Sequence, residues 1–176
     1  MKSPLNQFLD ILIRYLILIL IAFPGLWIFY FIFTPLTLYS VYFLLNLFYE
    51  TLIITNIIVV NETAIELIGA CIAGSAYYLL LILNLSVPKI KLQKRVKMIL
   101  FAFCIFLVIN ILRIFLLSLM SISVSPLFEA THKILWYSIS TLFVVGIWFF
   151  EVKLFKINQI PFYSDIKFLF KKSKKN

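Results

Sequence analysis

Long apolar stretches separated by short polar segments dominate this chain. They cover residues 8–33, 72–87, 98–120 and 134–150. A helix needs about 20 mostly apolar residues to cross about 30 Å of hydrocarbon. We therefore interpret each stretch as a transmembrane helix. Pro24 and Gly25 are expected to kink the first helix, and Pro88 is expected to end the second. Asp10 and Arg14, four residues apart near the start of the first helix, are expected to pair on one helix face.

A shorter apolar stretch, residues 36–49, leaves two interpretations open. As a helix it would cover only about 21 Å, and Thr37, Ser40 and Asn46 interrupt its apolar character. We favour a short interfacial helix, which gives four transmembrane helices and places both termini in the cytoplasm. If the stretch crosses the bilayer, there are five transmembrane helices and the N-terminus lies outside.

Two β-prone runs follow, residues 57–60 and 65–68, on either side of Asn61, Glu62 and Thr63. This pattern predicts a small hairpin outside the membrane. The predicted fold class is therefore an all-α integral membrane protein with four or five transmembrane helices, a short interfacial helix and a small extracytoplasmic hairpin. We expect residues 1–176 to form one membrane-embedded domain.

The composition agrees with a membrane location. Of the 176 residues, 64% are hydrophobic and only 13% are charged, whereas a typical soluble domain has about 25% charged residues. So few charges could not cover the surface of a soluble domain of this size, which excludes the soluble classes of protein.

The charges are unevenly placed along the chain, and their positions predict its orientation. Lysine and arginine cluster in segment 89–97 and from Lys153 onward, whereas segments 50–70 and 121–132 contain neither. The positive-inside rule then places segment 89–97 and a basic tail, residues 157–176, in the cytoplasm. The tail lysines are expected to bind anionic lipid headgroups rather than nucleic acid.

Three reactive side chains are predicted to lie at one depth, near the outer face. Cys71 precedes a helix that descends to Pro88, and His132 opens the last predicted span. Arg113 stands about 24 Å along the third helix from its cytoplasmic end. Each has an ordinary interpretation as well: an inert thiol that acts as a small hydrophobic residue, an interfacial histidine or an arginine that extends to the headgroups. Cys104 is expected to be such an inert thiol, about 14 Å deeper.

Together, the three residues suggest thiol chemistry. A nearby cation favours the nucleophilic thiolate, His132 could exchange protons with the thiol and the leaving amine, and Arg113 could stabilise an oxyanion. Asn110 stands one helical turn before Arg113 and is expected to hold its guanidinium in place.

Small residues near the cysteine, Gly74 among them, are expected to let a substrate backbone approach the sulfur. The sequence contains neither a CxxC motif nor a Cys/His cluster, so neither a metal site nor a cofactor is expected.

These motifs are "ACIAG" around Cys71, "NILRI" from Asn110 through Arg113, and "EATHKILW" around His132. In this order the chain resembles the exosortase/archaeosortase family of membrane-embedded cysteine transpeptidases, and especially its short archaeal members. The resemblance covers roughly residues 57–150. Many members have a glycine two residues after the cysteine, whereas Gly74 follows it by three.

The resemblance implies a protein-sorting enzyme, a thiol protease and transpeptidase of the cell membrane whose active site faces outward. It implies Cys71 as nucleophile, Arg113 as stabiliser of the oxyanion or thiolate, and His132 as general acid and base. The implied substrates are secreted proteins with a C-terminal signal made of a short motif, a transmembrane helix and a basic cluster. The cleaved protein would pass to an acceptor, in some systems a lipid amine.

Two other interpretations stay open at the level of sequence. One is a non-enzymatic small membrane protein, such as a transporter subunit or an assembly factor. The other is an intramembrane cysteine protease that only hydrolyses its substrate.

Overall fold

The protein is mostly helical with one small sheet. The structure is a computed structural model that describes residues 4–135, 140–157, 161–163, 165–167 and 170. The elements in chain order are α1 Pro4–Ala22, α2 Trp27–Asn46, β1 Thr51–Ile54, β2 Ile57–Val60, β3 Thr63–Glu66, α3 Gly69–Ile72, α4 Gly74–Leu85, α5 Leu92–Ile122, α6 Phe128–Ile134 and α7 Ser140–Leu154. Two of these helices, α2 and α5, are long and apolar enough to cross a membrane.

The spacing of residues along α5 determines which of its faces packs inside the protein. Its inward residues recur at every fourth position and form one stripe, which consists of Met98, Ala102, Phe106, Asn110, Ile114 and Ser118. The other faces of α5 expose large apolar side chains such as Leu100 and Leu116. A helix with an apolar outer face favours a lipid environment. The predicted third span, residues 98–120, lies within α5.

The predicted kink at Pro24 is wrong, because the chain leaves the helical conformation there. Helix α1 ends at Ala22, and Gly25 and Leu26 both adopt left-handed conformations, with φ of 67° and 63°. Pro24 also lacks the N–H that would continue the helical hydrogen bonds. Helix α2 then continues through Pro35 without interruption to Asn46. The predicted interfacial helix, residues 36–49, is therefore not separate, since most of it is the second half of α2.

Helices α1 and α2 run in the same direction along the bundle. The Arg14 guanidinium of α1 donates a hydrogen bond to the Leu85 carbonyl, at the C-terminal end of α4. Tyr78, near the start of α4, also donates to the Leu18 carbonyl farther along α1, so α1 is antiparallel to α4.

Further along the chain, Phe33 of α2 stacks on Tyr77 near the N-terminal end of α4, with ring centroids 3.7 Å apart. Phe33 of α2 and Phe48 just after it pack on Phe103 and Phe115 of α5, so α2 runs parallel to α5, which is itself antiparallel to α4.

The predicted hairpin is confirmed, and it belongs to a three-stranded antiparallel sheet of order β1-β2-β3. Strand β2 has the predicted bounds, but its partner β3 begins at Thr63, two residues earlier than the predicted 65–68 run. Two-residue loops join the strands, so Thr63 pairs directly with Val60. Strand β1 was not predicted because its sequence, TLII, follows the apolar α2 without the alternation typical of a half-buried strand.

Two buried arginines converge on the C-terminal end of α4. Arg95 of α5 donates hydrogen bonds of 2.8–2.9 Å to the carbonyl oxygens of Asn84, Leu85 and Val87. Arg14 donates to the Leu85 carbonyl as well. The last carbonyl groups of a helix have no partner within the helix, so these two cations satisfy groups that would otherwise be buried without hydrogen bonds.

Carboxylates balance part of this charge. Arg14 lies 3.3 Å from Asp10, which confirms the predicted pair, and 3.0 Å from Asp165 of the C-terminal segment, which was not predicted. Asp165 is buried there, so this part of the predicted 157–176 tail packs against the bundle. The rest of that tail, apart from Ile157 and residues 161–163, 166, 167 and 170, lies outside the described residues.

Candidate functional site

Cys71 lies on α3, a helix of a single turn, and not at the start of a long helix as predicted. The helical conformation is interrupted at Ala73, which is left-handed with a φ of 58°, and α4 starts at Gly74. The Cys71 N–H donates to the Ile68 carbonyl at 2.9 Å. The cysteine is therefore held on a short backbone segment between the sheet and α4, and its side chain is partly exposed.

Two side chains of α5 hold this segment in place. Asn110 Nδ2 donates to the Cys71 carbonyl at 3.0 Å and to the Ile72 carbonyl at 3.5 Å, and Arg113 Nη2 donates to the same Cys71 carbonyl at 3.1 Å. Because residues three apart share a helix face, the N-x-x-R spacing presents both donors to one acceptor.

The structure does not contain the predicted hydrogen bond between the Asn110 side chain and the Arg113 guanidinium. Asn110 Oδ1, the only atom of that side chain that could accept from a guanidinium, has no hydrogen-bond partner among the described residues. The amide instead donates to the backbone around the cysteine. The two residues thus act in parallel on α3.

Cys71, Arg113 and His132 line one cavity of about 470 Å³, a size typical of ligand pockets. Its walls come from β3, α3, α5 and α6. The lining residues are Ala64, Ile65, Glu66, Leu67, Ile68, Ala70, Cys71, Arg113, Ile114, Leu117, Ser118, Ser121, Phe128, His132 and Leu135. The three residues predicted to lie at one depth therefore contribute to one cavity.

His132 reaches the cavity from α6. It stands two residues before the end of α6, and its ring stacks on Phe128 with centroids 5.6 Å apart. The described part of α7 covers Ser140–Leu154, and residues 136–139, which the fourth predicted span includes, lie outside the described residues. The histidine is solvent-exposed, which leaves its ring accessible to a substrate.

Three further polar residues of the cavity were not predicted: Glu66, Ser118 and Ser121. Glu66 ends β3 and is exposed, whereas Ser118 is buried and donates to the Ile114 carbonyl at 2.8 Å. The sequence contained a signal for Ser118, which continues at fourth positions the stripe of Asn110 and Ile114 on α5. Glu66 joins the cavity only through the fold of the hairpin.

Gly74 does not face the cavity, contrary to prediction. A Cβ atom added there would lie 2.8 Å from Cζ of Tyr30, and one added at Gly69 would lie 3.4 Å from Cε1 of the same ring. The absence of a side chain at Gly74 therefore lets α4 pack closely against the Tyr30 ring of α2. Cys104, predicted to be inert, does not line the cavity and lies on an exposed position of α5.

Replacing Gly74 with alanine is expected to destabilise the protein by roughly 1–3 kcal/mol, because the added methyl group overlaps the Tyr30 ring. The matched control is Gly146→Ala in α7, where a Cβ meets no atom within 4 Å. There the change should be neutral or stabilising, since alanine favours a helix. Thermal unfolding of the two purified variants in detergent measures the difference. Equal melting temperatures would show that the Tyr30 contact is unimportant.

Among the residues that the structure describes, no group of three or more histidine, cysteine or acidic side chains could hold a metal ion. Comparisons with protein-family models, curated proteins and solved structures returned no match. The chemistry of the cavity therefore has to be inferred from its own geometry.

Proposed function

We propose that this protein is a membrane-embedded cysteine transpeptidase of the exosortase/archaeosortase type. The observation that carries the proposal is the cavity in which a partly exposed thiol, a guanidinium and an imidazole meet, with Arg113 bonded to the backbone of Cys71 itself. These three groups are the nucleophile, the cation and the acid–base group that acyl transfer through a thioester requires.

The reaction begins when Cys71 loses its proton to His132 and the thiolate attacks the scissile carbonyl. The carbonyl oxygen becomes an oxyanion, which the Arg113 charge stabilises. His132 then donates the proton to the leaving amine, the C–N bond breaks, and an acyl group remains on the sulfur. An acceptor amine, losing its proton to His132, attacks this thioester and restores the Cys71 thiol.

Arg113 supports this chemistry in a specific way. Its Nη2 atom is committed to the Cys71 carbonyl, so the guanidinium is fixed relative to the residue whose sulfur reacts. A fixed charge needs no reorganisation when the oxyanion forms, which is the condition under which electrostatic stabilisation is most effective.

Four crossings of the membrane fit the helices best in this proposal. Helices α1 and α2 run in one direction past α4 and together make one crossing, and α4, α5 and α7 make the others. The cavity then lies at the end of the bundle next to the sheet and segment 121–131, both free of basic residues. The opposite end carries segment 89–97, so the positive-inside rule turns the cavity to the outer side of the cell membrane.

The proposed substrates are secreted proteins whose C-terminus carries a short motif, a transmembrane helix and a basic cluster. Such a helix would lie beside the bundle in the bilayer, and its basic cluster would share the cytoplasmic face with the lysines of segment 89–97. The motif would then reach the outer cavity. The acceptor in the proposed reaction is an amine, for example that of a membrane lipid.

A reporter assay tests this function. The reporter is a secreted domain followed by a randomised segment, an apolar helix and four lysines, and clones are selected for loss of the helix. Wild-type protein should release the domain, and mass spectrometry of the new C-terminus should show an added amine. A free carboxylate at every cleaved end would favour hydrolysis only. Failure of any reporter to be cleaved would favour a non-catalytic membrane protein.

A further inference from the structure

Strand β3 is an edge strand, and its open edge lies along the cavity that contains Cys71. The sheet order is β1-β2-β3, so among the described strands β3 pairs only with β2. Ala64, Ile65 and Glu66 of this strand all line the cavity. An edge strand presents main-chain donors and acceptors that can pair with another extended chain.

The register of the sheet identifies which backbone groups point outward. The Leu67 N–H donates to the Asn56 carbonyl at 3.0 Å, so this pair is hydrogen-bonded across the sheet. Hydrogen-bonded and non-bonded pairs alternate along an antiparallel ladder. Ile65 therefore turns its backbone groups toward β2, whereas Ala64 and Glu66 turn theirs away.

The outward N–H and C=O groups of Ala64 and Glu66 form no hydrogen bond with any residue that the structure describes. They are two residues apart, which is about 6.8 Å along a strand. Alternate residues of an extended peptide have the same spacing. Helix α5 forms the facing wall of the cavity with the apolar side chains of Ile114 and Leu117.

We propose that the segment of the substrate that contains the scissile bond binds as an added fourth strand, hydrogen-bonded to Ala64 and Glu66 of β3. This inference rests on the proposed function for its substrate class. Main-chain pairing of this kind supplies affinity, while pockets for alternate side chains supply specificity. It also orders the peptide in the extended form, with each second side chain facing the cavity wall.

Strand β3 lies close to Cys71 in the chain. A substrate strand paired with β3 would therefore bring its scissile peptide bond near the thiol. Only Leu67 and Ile68 separate the end of β3 from α3, and Ile68 is bonded to the Cys71 N–H. Glu66 adds a carboxylate to the cavity lining at this end, and Arg113 of α5 adds a cation. A peptide that follows β3 therefore passes along the cavity that the sulfur faces.

The test uses Cys104→Ala protein in lipid nanodiscs, so that Cys71 is the only thiol. The probe is a ten-residue peptide selected from a randomised displayed library for slowing the alkylation of Cys71. Single N-methylation at each position of this peptide removes one donor at a time. Strand pairing should give losses of protection that alternate with a period of two residues.

Ala64→Pro is the matching change in the protein. It removes the outward N–H without breaking a bond to β2, and proline is tolerated at such edge positions. Protection by the peptide should weaken about five- to tenfold, as expected for the loss of one hydrogen bond and some steric interference, whereas Ala64→Ser, which keeps the N–H, should match the parent protein. The alkylation rate without peptide should be the same in all three proteins, which controls for folding.

Losses without a two-residue period, or equal protection in the Ala64→Pro and parent proteins, would overturn the strand pairing. Neither measurement requires catalysis. Loss of cleavage in the reporter assay is a separate result that bears on the proposed function alone, so the two inferences can fail independently.

Discussion

Cys71→Ala protein is expected to lose reporter cleavage by at least about a thousandfold, the usual scale when a catalytic nucleophile is removed. Alanine has no group that can form the acyl intermediate. Cys71→Ser should be almost as inactive, because a hydroxyl near neutral pH is a much weaker nucleophile than a thiolate. The measurement is the rate of reporter release in membranes, corrected for the amount of each protein by immunoblot.

The matched control is Cys104→Ala, which removes the other thiol of the chain. Cys104 does not line the cavity and lies on an exposed position of α5, so this variant should cleave at close to the wild-type rate. Release at the normal rate by Cys71→Ala protein would refute the cysteine mechanism and would leave the non-catalytic interpretation.

Arg95→Leu is expected to have the largest effect on stability, with a loss of roughly 2–4 kcal/mol. The change leaves the carbonyl groups of Asn84, Leu85 and Val87 without the hydrogen bonds that Arg95 donates. Removal of a buried cation offsets part of this cost, since its desolvation penalty also disappears. Thermal unfolding followed by size-exclusion chromatography in detergent measures the effect.

Lys97→Leu is the control for charge, since Lys97 is an exposed residue of the same helix. Both variants remove one positive charge from the start of α5, but only Arg95 is bonded to α4. A large loss for Arg95→Leu with none for Lys97→Leu would identify the hydrogen bonds as the cause. Equal losses would instead attribute the effect to the charge of this end of the bundle.

The sequence predicted those parts of the fold that depend on local patterns. The apolar run of α5 and the bounds of β2 could be predicted because hydrophobic periodicity and turn residues are local signals. The Asp10–Arg14 pair followed from helical spacing alone. The order and spacing of Cys71, Arg113 and His132 are local signals as well, and they suggested that the three residues, which line one cavity, act together.

The predictions that failed concern features that depend on tertiary packing or on the backbone conformation of single residues. Ala73 adopts a left-handed conformation that alanine disfavours, so the separation of α3 from α4 had no local signal. Pro35 is retained inside α2, although proline usually ends a helix. The position of Gly74 beside Tyr30 and the burial of Asp165 against Arg14 arise from contacts between segments distant in sequence, which no periodicity reveals.

The two hydrogen bonds that α5 donates to the Cys71 carbonyl fix the position of the cysteine relative to α5. Helix α4, which runs from this point to the end of the bundle where Arg14 and Arg95 cap it, has 12 residues, about 18 Å of helical rise. In the proposed enzyme, whose arginine-capped end would face the cytoplasm, this distance would set the level in the bilayer at which Cys71 acts. The distance between the substrate's transmembrane helix and its scissile bond would then have to match this level. Lengthening the segment between that helix and the motif should therefore move the scissile bond away from Cys71, even when the motif itself is unchanged.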